Sequence, residues 1–170
     1  MKRLISMFLI VALCFCFPAC SQEAAKIQTP VNFYFRRAEL TFGGDTGVIC
    51  AQQAESEGHE DDLSWLLRSY FETVPDEGLT SPFPIGTTLI SITIDERNAD
   101  VILSDILGLK QGMDLTIACA CITMTVLDLT DVETVTIRTH GAKLGGAEQI
   151  VMDRSCLLLI DNSAEEEVEE

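Results

Sequence analysis

The sequence predicts an α+β fold, a mixed but mostly antiparallel sheet with two helices packed on one face. Three observations point there. Short stretches alternate apolar and polar residues, two longer stretches repeat apolar residues at helical spacing, and Gly, Pro, Asn and Asp punctuate the joints. In chain order the elements read β-β-α-β-β-α-β-β.

The first strand is marked by Val31, Phe33 and Phe35, which alternate with Asn32, Tyr34 and Arg36. Residues 42–45 (FGGD) carry turn chemistry, and residues 46–51 (TGVICA) read as a second strand. Gly58, His59, Glu60, Asp61 and Asp62 open a helix, where acidic groups favour the positive end of the helix dipole. Leu63, Leu66, Leu67 and Tyr70 then fall at i, i+3, i+4 and i+7, one stripe laid on a core, and the helix ends near Val74-Pro75.

Residues 76–88 (DEGLTSPFPIGTT) form a Pro- and Gly-punctuated loop that should be stiff, because residues before proline are held extended. Residues 89–95 alternate again, with Ile90, Ile92 and Ile94 expected on one side. Glu96-Arg97-Asn98 turns the chain, and Ala99, Val101 and Leu103 return as the partner strand of a hairpin. Residues 111–131 predict a long helix whose stripe is Leu115, Ala118, Cys119, Ile122, Val126 and Leu129. Ile117, Cys121 and Met124 make much of its remaining surface apolar, so it is expected at the centre. Residues 134–139 predict a strand with Val135 and Ile137 inward, residues 140–146 a glycine-rich turn, and residues 156–160 (CLLLI) a final strand.

The N-terminus carries a different signal. Met1-Lys2-Arg3 precedes an apolar run from Leu4 to Phe17, broken only by Ser6. A basic start followed by a short apolar stretch marks a secretory signal peptide, assigned to residues 1–19. The run is shorter than the roughly 20 apolar residues a transmembrane helix needs. Ala19-Cys20 resembles a lipobox, with cleavage before Cys20 and lipid attached to it, although Phe17 and Pro18 depart from the usual pattern. Cleavage after Ser21 is the competing reading. Residues 20–30 are read as a tether, of which ten residues span at most about 35 Å. Residues 31–162 form the folded domain. Residues 163–170, dominated by glutamate, are expected to be a disordered, solvated tail.

Charge narrows the possible partners. Lys2 and Arg3 fall in the leader, so nine of the 11 basic residues and all 27 acidic ones follow it, for a net charge of −18 against −16 for the whole chain. Such a domain is repelled by nucleic acid and by anionic lipid, which leaves a covalent lipid as the route to a membrane. Each buried CH₂ of an acyl chain contributes about 0.8 kcal/mol to that attachment.

No catalytic or metal signature stands out. Cys14 and Cys16 lie in the leader. Cys50, Cys119, Cys121 and Cys156 are read as buried small hydrophobes, with a Cys50–Cys156 pair as the oxidised alternative. Neither a C-x-x-C nor a His–Cys zinc spacing occurs. Glu57, His59, Glu60, Asp61 and Asp62 are read as an acidic helix start rather than a metal cluster, and His140 as a turn residue. The sequence has no Gly-x-Ser-x-Gly elbow, phosphate loop or His-Glu-x-x-His, and no carboxylate pair is singled out. The expectation is a non-enzyme without a cofactor.

With the elements placed, the segment Gly78-Leu79-Thr80-Ser81-Pro82-Phe83-Pro84-Ile85-Gly86-Thr87-Thr88-Leu89 resembles the GL-x-SP-x-P-x-GT-x-L stretch of the GerMN domain of spore-germination protein M-like envelope lipoproteins. The flanks agree: Val31-Asn32-Phe33-Tyr34-Phe35 stands for the opening strand and Leu103-Ser104 for the end of the strand pair. An Ala- and Thr-rich helix follows, and then Val132-Glu133-Thr134-Val135-Thr136-Ile137 for the V-x-x-V-x-I strand. The likeness covers roughly residues 31–145. One departure is Val74-Pro75, where the family often has Gly-Pro. The resemblance implies a fold like ring-building domains of secretion-like assemblies, and a role in sporulation or germination through an envelope protein partner or self-association. Peptidoglycan or carbohydrate binding, or an accessory role in wall processing, is the alternative. Read physically, Gly78, Leu79, Ser81, Pro82, Pro84, Gly86 and Thr87 form a structural crossover that aims the first helix into the hairpin, with ligand binding as the second option.

Overall fold

The computed structural model describes residues 29–39 and 47–156. The leader, Cys20, most of the tether, the 42–45 turn, residues 157–160 of the expected last strand and the acidic tail lie outside the described residues.

Strands β1 (Pro30–Arg37), β2 (Ile49–Glu55) and β3 (Leu79–Thr80) form an antiparallel sheet of order β2-β1-β3. Strands β4 (Leu89–Asp95), β5 (Asn98–Leu103), β6 (Thr134–Thr139) and β7 (Ile150–Asp153) form a second sheet of order β4-β5-β6-β7. Only β5 and β6 run parallel. Helix α1 (Leu63–Glu72) connects β2 to β3, and helix α2 (Gly112–Leu129) makes the crossover that a parallel pair requires. Short 3₁₀ segments, Asp105–Leu109 and Arg154–Cys156, precede α2 and follow β7.

The α+β class and the mostly antiparallel pairing agree with the sequence pattern, and three details differ. The strands divide between two sheets instead of joining one. β3 is an additional strand, too short to produce a periodic signal. The last described strand is Ile150–Asp153, and Cys156 falls in a 3₁₀ turn.

The division into two sheets follows from α2. Every residue from Ile117 to Leu127 is buried, and the helix has almost no polar face. A helix apolar all round must be covered on more than one side. Here β1 packs against it from the first sheet, and β6 and β7 from the second. By length and composition α2 is apolar enough to cross a membrane, but it serves as the core of this fold.

A row of polar contacts ties β1 to α2. Asn32 Nδ2 donates to Asp128 Oδ2 at 2.8 Å, the Tyr34 N–H donates to Thr125 Oγ1 at 3.0 Å, and Arg36 Nη1 pairs with Asp114 Oδ1 at 2.8 Å. Alternate residues of β1 thus meet α2 from its last turn, at Asp128, back to its first, at Asp114. β3 pairs with β1 only at Arg36 and Arg37, so it leaves Tyr34 without a strand partner on that side. The Thr125 hydroxyl satisfies the Tyr34 N–H, and the Tyr70 hydroxyl donates to the Tyr34 carbonyl. Two side chains do there what a longer β3 would do.

Tyr70 is also the hub of an aromatic cluster. Its ring centroid lies 5.1 to 5.4 Å from those of Phe33, Phe35, Phe71 and Phe83, which joins β1, α1 and the following loop. Burial pushes its pKa well above the ordinary tyrosine value, so the hydroxyl remains a neutral donor. Leu66 and Leu67 are buried with Tyr70, as the stripe predicts. The helix begins later than expected: Gly58 to Asp61 lie in turns before it, and no acidic residue falls in its first turn. Asp62 is the N-cap, whose carboxylate accepts from the Trp65 N–H at 2.9 Å, because a side-chain cap sets the start more sharply than acidic composition does. It ends at Thr73, whose hydroxyl donates to the Ser69 carbonyl. Beyond it, the buried Gln52 amide donates to the Val74 carbonyl and accepts from the Asp76 N–H, which fixes the path through Val74-Pro75.

The β4–β5 hairpin forms where predicted, but its pairing register shifts between Leu89 and Ser91. The bulge takes Ile90 out of alternation, so Ile90, Ile92 and Ile94 do not share one core face. Ile90 and Ile94 are exposed, and Leu89, Ala99, Val101 and Leu103 fill the core instead.

Cys119 and Cys121 are buried free thiols, while Cys50 is only half-buried, contrary to the expectation of full burial. Burial pushes the Cys119 thiol up to about 12 and raises that of Cys121 as well, so neither is a nucleophile at neutral pH. The side chain of Cys156 lies outside the described residues.

Removing the Tyr70 hydroxyl strands the carbonyl of half-buried Tyr34. Tyr70→Phe is expected to cost about 1–3 kcal/mol of stability. Tyr70→Ala, which also empties the aromatic hub, should cost about 3–5 kcal/mol. Urea unfolding followed through Trp65, the only tryptophan in the chain, measures both.

Candidate functional site

The loop from Gly78 to Thr87 is built from backbone requirements. Gly78 has φ +86°, and its carbonyl accepts from the Ala38 N–H at 2.8 Å, anchoring the loop beside β1. Leu79 then pairs with Arg37 in β3. The Ser81 hydroxyl accepts from the Phe83 N–H at 3.3 Å. Pro82 is buried, and Phe83 turns inward to pack edge-on against Tyr70 and Phe71. The Phe83 side chain thus holds the loop to α1.

The second half of the loop is a tight turn. The Pro84 carbonyl accepts from the Thr87 N–H at 3.1 Å and from the Thr87 hydroxyl at 2.9 Å. Gly86 occupies the third position with φ +88°, and Pro84 opens the turn, an arrangement that matches a type II turn. Thr87 is buried and locks it. The second position belongs to Ile85, whose side chain is fully exposed. The loop therefore brings all seven motif residues into one rigid unit, and it presents a residue that lies between them.

The 3₁₀ segment Asp105–Leu109 buttresses this unit. The Thr88 N–H donates to Ser104 Oγ at 3.0 Å and the Ser104 N–H to the Thr88 carbonyl at 2.9 Å. A Cβ at Gly86 would lie 3.2 Å from Ile106 Cδ1, so the turn rests on Ile106. Asp105 accepts from the N–H groups of Gly141 (2.6 Å) and Ala142 (3.1 Å), which hold its carboxyl below the usual carboxylate range. Gly108 packs so closely that a Cβ would lie 2.8 Å from that of Ala142. Loop, 3₁₀ segment and the turn after β6 thus form one end of the molecule.

Depressions on the described surface include one beside the loop and two wider ones elsewhere. The one beside the loop, of about 150 Å³, is lined by Arg68, Phe71, Glu72, Thr87, Thr88 and Leu89. It is smaller than a ligand pocket usually is. Two wider ones, of about 360 and 420 Å³, lie on open surface beside Gln53 and beside Glu133. Among the described residues no group of three His, Cys, Asp or Glu side chains is placed to hold a metal ion. In the acidic segment before α1, Asp62 caps the helix, His59 stacks on Trp65 at 4.3 Å, and Glu60 accepts from the Ser56 hydroxyl at 2.7 Å. His140 sits in the turn after β6 and donates its N–H to the Leu103 carbonyl.

Sequence reasoning missed Ser104, Gln52 and Ile85. Gln52 acts across the fold and leaves no local signal, and Ser104, legible only as the end of the strand pair, gave no sign of its bond to Thr88. Ile85 was legible in principle, since Pro-x-Gly-Thr is turn chemistry that puts x at an apex.

Comparison with solved structures identifies the class of fold. The tandem GerMN domains of the sporulation protein GerM from Bacillus subtilis superpose with a TM-score of 0.54 at 15% identity, over 72% of this chain and 44% of that one. The first GerMN domain of the same protein gives a TM-score of 0.50 at 18% identity, over 74% of this chain and 95% of that one. The chain therefore spans less than half of the tandem structure. No curated protein matches the sequence. The model of the Germane family, described as sporulation and spore germination, matches residues 33–145. The chain belongs to that family.

Two substitutions test the geometry of this end. Gly86→Ala forces a side chain into a left-handed conformation against Ile106, at a cost of about 1–2 kcal/mol readable by thermal melting. Asp105 has a lowered folded pKa, so its stabilisation is present above the unfolded value of about 3.9 and is lost as pH falls through the folded value. Asp105→Asn keeps an acceptor but not the charge. Its stability should fall less steeply than that of the wild type below about pH 4, in denaturant melts taken across that range.

Proposed function

We propose that this chain is a membrane-tethered, non-enzymatic lipoprotein of the cell envelope, a protein-interaction or scaffold module in sporulation or spore germination. The observation that carries the proposal is the family match over residues 33–145, on a fold whose motif loop serves architecture rather than chemistry. Two titratable groups near that loop support the non-enzymatic reading: Tyr70 is buried with its hydroxyl committed to a backbone carbonyl, and Asp105 is committed to two backbone N–H groups. The anchor in this proposal is lipid on Cys20, which places the domain on the outer face of the cytoplasmic membrane. It is supported by the basic and apolar leader before Cys20 and by the net charge of −16, which disfavours peripheral adsorption to anionic lipid.

Radiolabelled fatty acid should appear on the wild-type protein in its own cells and vanish in Cys20→Ala; label retained in the mutant overturns the anchor. Purified protein should release no muropeptides from cell wall, and release would overturn the non-enzymatic reading. Sedimentation with purified wall would favour the carbohydrate-binding alternative.

A further inference from the structure

The apex of the motif loop carries an arrangement that structural duty does not explain. Ile85 is fully exposed, although an isoleucine gains by burial. It is not loose: Thr87 closes the turn on both sides of it with two hydrogen bonds to the Pro84 carbonyl, and Phe83 pins the loop to the aromatic core. Nor is it isolated. Its neighbour Gly86 rests on Ile106, and in a 3₁₀ segment Ile106 and Leu109 lie three apart and therefore on one side. Leu109 is 77% exposed, and Met113, just after it in the first turn of α2, is 60% exposed. A rigid turn thus presents a convex apolar knob beside an apolar strip.

Such a knob has the properties of a binding anchor. The backbone beneath it is already held by the turn, so docking loses little backbone entropy. Contiguous exposed apolar surface on a soluble domain commonly marks an interaction site. Charge restricts the partner further. The chain as a whole carries a net charge of −16, which favours a basic partner. A second copy of the chain would bring like charge to like charge.

We propose that Ile85, with Ile106 and Leu109 beside it, is the anchor by which this domain docks into an apolar pocket rimmed by Lys and Arg on another protein. The proposal rests on the interaction-module reading and names the site and the chemistry of its partner.

The test uses the full chain in its own cells, with a photo-crosslinking residue introduced as Ile85→benzoylphenylalanine or Leu109→benzoylphenylalanine. Val74→benzoylphenylalanine and Thr93→benzoylphenylalanine, both at exposed positions away from the patch, are the controls. Irradiation should give one protein adduct from positions 85 and 109 and little from 74 or 93. The crosslinked peptide should map to an apolar pocket with basic neighbours. Binding of the purified pair should then weaken about tenfold or more in Ile85→Glu, and should weaken with added salt in the wild type. The melting temperature of Ile85→Glu should match the wild type, because the side chain supports nothing in the fold. An adduct with the mass of two copies, an adduct to lipid, or equal adducts from 74 and 85 each overturn the site. An adduct from 93 alone overturns it while leaving the interaction-module reading intact. No adduct from any position removes both.

Discussion

The fold depends on helix α2 having no side it can show to water. Ile117 to Leu127 are buried without a break, and the run includes Thr123 and Thr125. One sheet covers one face of a helix, so a second sheet is needed, and the chain supplies it from its first three strands. Threonines at the centre of such a helix then become useful. Thr125 gives the Tyr34 N–H the partner that no strand supplies, and with the Tyr70 hydroxyl it closes the side of β1 that β3 leaves open. Strand edges left unpaired invite association, and here side chains from both helices blunt one.

Tyr70 extends that constraint into the motif loop. Its ring contacts β1 and α1 residues and Phe83 of the loop, and its hydroxyl ends on the β1 backbone. Helix, strand and loop are therefore positioned by one residue. The motif divides its labour around this point. Phe83 faces in and anchors, the prolines restrict the path, Gly86 allows the turn, Thr87 locks it, and Ile85 is left outside.

Much of this was legible beforehand, for identifiable reasons. The stripe of Leu63, Leu66, Leu67 and Tyr70 and the near-uniform apolarity of residues 115–127 are local patterns with one structural meaning; the second helix formed within two residues of its expected bounds, while the first began at Leu63 instead of in the acidic segment from Gly58. The hairpin was readable from its alternation and turn. β3 was not, because two residues have no period. The bulge at Ile90 was not, because three alternating isoleucines look like one face until the pairing register is known. The apolar run at 156–160 drew the last strand away from Ile150–Asp153, whose pairing with β6 depends on a partner remote in sequence.

The sequence by itself determined the family, the class of fold, the two helices and the turn chemistry of the motif loop, because propensity, periodicity and turn chemistry act between near neighbours. Tertiary structure alone decided how the strands divide between sheets, which hydroxyls complete the β1 backbone, and that Ile85 and Leu109 are exposed at the same end of the molecule. Those are contacts, or denied contacts, between residues far apart in the chain. Their energies arise only once a central apolar helix has forced the two sheets to close around it.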